Sequence, residues 1–161
     1  MTTGNHALFD YLLRLADSDL VLAQRLGEWT GKGPVLEEDI ALTNVGLDLI
    51  GQARLWYAYA AEVEGRYAGA VRTEDALAFL RDGHDYRNLQ LVEQPNGSYA
   101  DTTARQFYFD TWHLRMLHAL TKSRGILFIN RPRAAEGPSR FYLVGTPVER
   151  PHSAVQRPAI G

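Results

Sequence analysis

Large apolar residues recur at helical spacing near the start of the chain. Two adjacent rows are spaced by multiples of seven residues: Leu8, Leu15, Leu22 and Trp29, and then Leu12 and Leu26. This spacing predicts an amphipathic helix over residues 6–29. Asp19 lies between Leu12 and Leu26 in the second row, so a carboxylate interrupts an apolar face.

A second helix is predicted from Pro34 or Val35 to Glu64, with Gly65 as its end. Its first turns are acidic, which suits the positive end of a helix dipole. Apolar residues occupy more than one side of it: Leu36, Ile40, Leu47 and Ile50, and then Val45, Leu49, Leu55 and Tyr59. A helix that is apolar on several sides is expected to lie centrally in a bundle.

Three further helical segments are predicted. Thr73 is predicted to cap a short helix that Gly83 interrupts, and helical structure is expected again over residues 85–93. After Pro95-Asn96-Gly97, Ser98 and Asp101 form a variant of the capping box and open a helix to about Lys122. Its core candidates are Phe107, Leu114, Leu117 and Leu120.

Residues 1–122 therefore form a predicted all-α helical bundle, because short connections favour antiparallel neighbours. Residues 123–161 differ in character, with five of the seven prolines, no lysine and no helical period. They are expected to be irregular and disordered, with possible short strands only at 126–129 and 141–144.

Charge and composition narrow the class of protein. The tail has six arginines and two glutamates, a formal +4, so the total of −2 leaves −6 on residues 1–122. An acidic body argues against a nucleic-acid partner. No apolar run reaches the roughly 18 residues of a membrane span, and no signal peptide is recognisable. We expect a cytoplasmic protein, and the absence of cysteine excludes disulfides and thiolate chemistry.

Inward carboxylates and histidines are the usual chemistry of helical bundles, where Glu-x-x-His pairs on two helices help to hold a di-iron centre. Asp110 and His113 form one near match on the last helix, and a core histidine held by a neighbouring acid is the favoured explanation. One such pair cannot build a dinuclear site.

Two other polar features are candidates for the same chemistry. Asn44, Asp48 and Gln52 form a stripe on the second helix, for which a buried hydrogen-bond network is favoured over metal binding. Asp19 on the first helix is expected to form a structural ion pair with a neighbouring Arg or Lys. No catalytic, cofactor-binding or metal-binding residue is assigned, and these six are candidates only for a vestigial site.

Two blocks of sequence resemble one known family. The most specific stretches are GLDLIGQAR, starting at Gly46, and NLQLVEQPNGSYADTTARQF, starting at Asn88. Over residues 6–122 the chain is similar to the C subunit (PaaC) of ring-1,2-phenylacetyl-CoA epoxidase, also called phenylacetate-CoA oxygenase. The resemblance implies a ferritin-like bundle and a structural, non-catalytic subunit of a multicomponent monooxygenase in aerobic phenylacetate breakdown.

The resemblance also implies partners and cofactors. The related catalytic A subunit would hold the di-iron centre, and a reductase subunit with flavin and iron–sulfur groups would deliver electrons from NADPH. Where a catalytic relative would carry Glu-x-x-His on the second helix, this chain has Asp48 and Gly51, which suggests a vestigial site.

The tail departs from the family pattern, because a fourth core helix should follow residue 122. A frameshift near codon 124, giving a truncated product, is the simplest hypothesis, and another reading frame should then restore an amphipathic helix. Two alternative functions stay open. Besides the structural subunit, the chain could be a di-iron-binding oxygenase subunit in its own right or an unrelated helical interaction module.

Overall fold

The computed structural model describes residues 3–66, 68, 72–121, 126–130 and 141–145. Five α-helices are present within these residues: α1 (Thr3–Gly27), α2 (Leu36–Gly65), α3 (Glu74–Phe79), α4 (Gln90–Glu93) and α5 (Tyr99–Leu120). A 3₁₀ turn covers Gly83–Asp85. The helical body confirms the predicted all-α class and has the arrangement of an incomplete ferritin-like bundle.

The first helix, rather than the second, is the central element. Leu12, Leu15, Leu22 and Leu26 of its predicted rows are buried, whereas Leu8 is half-buried and Trp29 lies beyond the end of the helix. Leu13, Asp17 and Leu20 form a third row that is buried as well. Residues of α2, of the segment 83–93 and of α5 all contact α1, so it is covered on three sides. The prediction that the second helix is central is therefore wrong for the described part of the chain.

The second helix packs one side against α1, while several large apolar side chains on another side are exposed. Leu49, Ala53, Trp56, Ala60 and Val63 pack against α1. Leu36, Ile40, Leu47 and Ile50 are 71%, 51%, 60% and 47% exposed. The apolar residues on several sides of α2 therefore do not all find a neighbour among the described residues.

The middle of the chain is less helical than predicted. Thr73 caps α3, because its side chain accepts a hydrogen bond from the Ala76 backbone N–H at 3.1 Å. The helix expected over 85–93 is reduced to the short α4, and extended residues such as Leu89 separate it from the 3₁₀ turn. This segment runs along α1 and closes part of the core, so tertiary contacts replace helical hydrogen bonds there.

The loop at residues 94–98, which we call the corner, is fixed by side chains from two helices. Asn96 Nδ2 donates to the Arg25 carbonyl at 2.8 Å, and Arg105 Nη2 donates to Asn96 Oδ1 at 2.5 Å. Thr102 Oγ1 donates to the Asn96 carbonyl at 3.0 Å and accepts from Trp29 Nε1 at 2.9 Å. The corner therefore joins the C-terminal end of α1 to the first turns of α5.

The predicted capping box at the start of α5 is present. Ser98 Oγ accepts from the Asp101 N–H at 3.3 Å, while the Ser98 N–H donates to Asp101 Oδ2 at 2.8 Å. Gly97 has a φ of +60°, and a Cβ there would lie 2.7 Å from Asp101 Oδ2. Glycine is therefore required at this turn for both its conformation and its size.

The packed face of α5 differs from the prediction. Phe109 and His113 are buried, and Met116, Leu117 and Leu120 pack against the core of α1 and α2. Phe107 and Leu114, predicted as core residues, are 66% and 51% exposed. The helical period predicts α5 correctly, but it identifies the face that contacts α1 only in part.

The tail contains an antiparallel two-stranded ribbon, β1 (Ile126–Asn130) and β2 (Phe141–Gly145), with Phe128 paired to Leu143. It lies where short strands were considered possible, and β2 lies against α2. The rest of the tail, for which disorder was predicted, lies outside the described residues. No helix in the described ranges is long and apolar enough to cross a membrane.

Candidate functional site

Asp19 lies inside the helical body, midway along α1, and is 1% exposed. Its Oδ2 accepts a hydrogen bond from Trp56 Nε1 of α2 at 3.1 Å. The expected partner for this carboxylate was an arginine or lysine, and the structure supplies an indole N–H instead. Burial raises the pKa of Asp19 well above its usual range, although the Trp56 hydrogen bond favours the charged form.

His113 approaches the same carboxylate from α5. Its Nε2 lies 3.9 Å from Asp19 Oδ1, which is too long for a hydrogen bond. This nitrogen is buried without a hydrogen-bond partner among the described residues. The ring packs against Phe109 and Trp112, with centroid separations of 5.2 and 6.0 Å. Burial lowers the pKa of His113 to about 4.

The two pKa shifts predict opposite pH dependences of stability in two single variants. In Asp19→Asn, His113 has a folded pKa near 4 against an ordinary 6.5, so the unfolded state binds the extra proton. The free energy of unfolding should therefore fall as the pH drops from 6.5 towards 4, by up to about 3 kcal/mol. In His113→Gln, Asp19 has a raised pKa, so its contribution to stability should be greatest below pH 3.8 and should fall as the pH rises.

Urea unfolding at a series of pH values, with helical circular dichroism as the signal, measures both slopes. The wild type is the control, because its two contributions oppose each other in this range. Slopes of the same sign in the two variants would contradict the assignment of these shifts to Asp19 and His113.

The other candidate residues do not join this pair. Asp110 is exposed on α5, and its Oδ1 accepts from Gln106 Nε2 at 2.7 Å. Asn44 and Asp48 are exposed on α2, and Gln52 is half-buried. The buried network predicted for this stripe is therefore wrong, because the side of α2 that carries Asn44 and Asp48 is uncovered.

A second buried polar cluster was missed by the sequence analysis. Asp17 is 0% exposed, and its carboxylate accepts from Tyr57 Oη at 2.6 Å, from Arg81 Nη1 at 3.1 Å and from the Arg87 N–H at 2.7 Å. The Arg81 guanidinium also lies 4.4 Å from the centre of the Tyr86 ring. These contacts fasten the segment after α3 to the middle of α1.

Only a weak sequence signal pointed to this cluster. Asp17 and Asp19 stand two residues apart in a strongly apolar helix, so at least one must face a neighbour. Arg81 gave no signal of its own, because arginines near loops are usually solvated. The burial of Asp17 depends on the packing of segment 83–93 against α1. No local sequence pattern specifies that packing.

A di-iron centre does not fit these donors. Such a centre takes a carboxylate from each of two helices and a Glu-x-x-His pair from each of two others. Asp19 and His113 are the two groups that converge, and no set of three or more His, Asp or Glu residues suited to a metal occurs in the described ranges. On α2, Gly51 stands three residues after Asp48, where a Glu-x-x-His pattern would have its histidine.

The described helices, with Asp17 and Asp19 buried between them, define an all-α helical bundle. The chain belongs to the family described as phenylacetic acid catabolic protein, whose model matches residues 1–126. Its sequence is 55% identical, over 114 residues, to the C subunit of 1,2-phenylacetyl-CoA epoxidase from Escherichia coli (strain K12). The match covers 71% of this chain and 44% of that relative, so the chain spans less than half of the relative's length.

Proposed function

We propose that this chain is a non-catalytic structural subunit of the multicomponent monooxygenase that epoxidises the ring of phenylacetyl-CoA in aerobic phenylacetate catabolism, and that it is a truncated copy. Family membership and the identity to the C subunit of an epoxidase support the pathway and the complex. The frameshift near codon 124 stays a prediction, which the gene sequence around that codon tests.

The observation that carries the structural role is the position of the six polar candidates. Asp19 uses its carboxylate to hold Trp56, while Asn44, Asp48 and Asp110 lie at exposed positions on two helices. A carboxylate that satisfies a buried indole N–H contributes to packing and to the register of α1 against α2. In this proposal Asp19 serves the packing of α1 against α2, and the exposed candidates hold no metal.

The partner in this proposal is the catalytic A subunit, which would hold the di-iron centre. A separate reductase component would carry flavin and iron–sulfur groups and take electrons from NADPH. The chain itself would bind none of these groups. The predicted cytoplasmic location belongs to the same proposal.

Co-expression of the tagged chain with the catalytic subunit of its own organism tests this role. We expect the two proteins to co-purify, with iron in proportion to the catalytic subunit and none on the tagged chain expressed alone. Two irons per tagged chain expressed alone would instead support the di-iron oxygenase alternative. Failure to co-purify, with no iron bound, would support an unrelated helical interaction module. An unrelated helical protein with the same tag is the control for non-specific capture.

A further inference from the structure

The uncovered side of α2 has the spacing of a coiled-coil seam. Its residues alternate in steps of four and three along five helical turns: Leu36, Ile40, Thr43, Leu47, Ile50 and Arg54. We call this row the α2 seam. Its four large apolar side chains are each at least 47% exposed, and the row is about 27 Å long. A surface of this shape fits another long helix.

We propose that two copies of this chain pair through the α2 seam, with the two α2 helices antiparallel about a two-fold axis near residue 45. This register places Ile40 opposite Ile50 of the second copy and Thr43 opposite Leu47. Leu36 then lies opposite the aliphatic part of Arg54. Each residue of the α2 seam therefore faces another residue of the same seam in the second copy, as a two-fold symmetric (isologous) interface requires.

The distribution of charge selects the antiparallel orientation. The N-terminal end of α2 carries Glu37, Glu38 and Asp39, whereas Arg54 lies at the other end of the seam. The antiparallel register brings Glu37 of one copy beside Arg54 of the other, while a parallel register brings like charges together. Arg54 holds Glu74 at 2.8 Å with 74% of its side chain exposed, so it has room for a second carboxylate.

A cleft at the end of the seam supports the same register. It has a volume of about 320 Å³ and lies between α2 and α3. Its walls include Ile50, Arg54 and the exposed ring of Phe79. In the proposed pairing, Leu36 of the second copy lies beside this cleft, and its 71% exposed side chain is of a size to enter it.

Sedimentation or light scattering of the purified chain over a range of concentrations tests the pairing. We expect the mass of a dimer, and we expect Leu47→Glu to raise the dissociation constant about a hundredfold or more, because two buried leucines are lost per dimer. Leu114→Glu, at a similarly exposed position on α5, is the matched control and should leave the dimer intact. A wild-type monomer at all concentrations would overturn the proposal, as would a dimer that only Leu114→Glu disrupts.

The orientation has a separate test that uses no disruptive substitution in the centre of the seam. The chain has no cysteine, so single cysteines report contacts without interference. Leu36→Cys mixed with Arg54→Cys should form a disulfide between copies, and neither variant should form one with itself. Disulfides within each variant alone would show a parallel pair and overturn the register. This pairing can be found whether or not the chain binds the catalytic subunit, so the two proposals fail separately.

Discussion

Replacement of Arg81 by alanine is expected to lower the free energy of unfolding by about 3–5 kcal/mol. The Arg81 side chain is 5% exposed and pairs with the fully buried carboxylate of Asp17. Without the guanidinium, that carboxylate stays inside the core with only Tyr57 Oη and the Arg87 N–H as donors. The loss is a large share of the roughly 5–15 kcal/mol that stabilises a typical domain.

Urea unfolding at high protein concentration, followed by tryptophan fluorescence, to which the buried Trp56 contributes, provides the measurement. Arg66→Ala is the matched control, because Arg66 forms an exposed pair with Glu62 at 3.0 Å and should cost less than about 1 kcal/mol. A double variant, Asp17→Asn with Arg81→Met, should be more stable than Arg81→Met alone, since no unpaired charge stays buried. Equal losses for Arg81→Ala and Arg66→Ala would contradict the assignment.

The isolated monomer is expected to show no cooperative thermal unfolding transition. Eight large apolar side chains on two helices are at least 39% exposed: Leu36, Ile40, Leu47, Ile50, Phe107, Tyr108, Trp112 and Leu114. Full burial of an exposed side chain of this size contributes about 1.5–3 kcal/mol. Because these side chains are about half exposed, covering them would add roughly half of that each, or about 6–12 kcal/mol together. That sum is as large as the net stability of a domain, so a chain without a cover should be marginal.

Calorimetry or circular dichroism at decreasing protein concentration tests this expectation. A transition should be present at high concentration, where copies or a partner cover the exposed rows, and should broaden and disappear on dilution. Adding the catalytic subunit to the dilute chain should restore it if the proposed complex forms. A sharp transition at a concentration where the mass is that of a monomer would show that the single chain is stable.

Periodicity predicted the helices well, because α1, α2 and α5 are long and capping signals lie within a few residues of a helix end. The capping box of Ser98 and Asp101 needs four residues only, and it is present as predicted. The position of each helix in the bundle was less predictable. The sequence shows that α2 is apolar on several sides, but only the tertiary arrangement shows that one side stays uncovered.

The polar residues were likewise predicted better one at a time than as contacting pairs. Asp19 was recognised as a carboxylate on an apolar face because it interrupts an apolar row. His113 was recognised as a core histidine because it follows Asp110 at helical spacing. The 3.9 Å distance between His113 Nε2 and Asp19 Oδ1 depends on the angle between α1 and α5. The pattern of residues along a single helix does not encode that angle. Asp17 was missed because its partner is 64 residues away in an irregular segment.

The corner at residues 94–98 has a practical consequence for protein engineering. A loop containing Pro95, Asn96 and Gly97 is the kind of site where chains are commonly split, tagged or circularly permuted. Here the amide and carbonyl of Asn96 bind Arg25, Arg105 and Thr102, so the loop is a tie between two helices. A break or an insertion at Asn96 would separate α5 from the end of α1, and fusion points for this scaffold belong elsewhere.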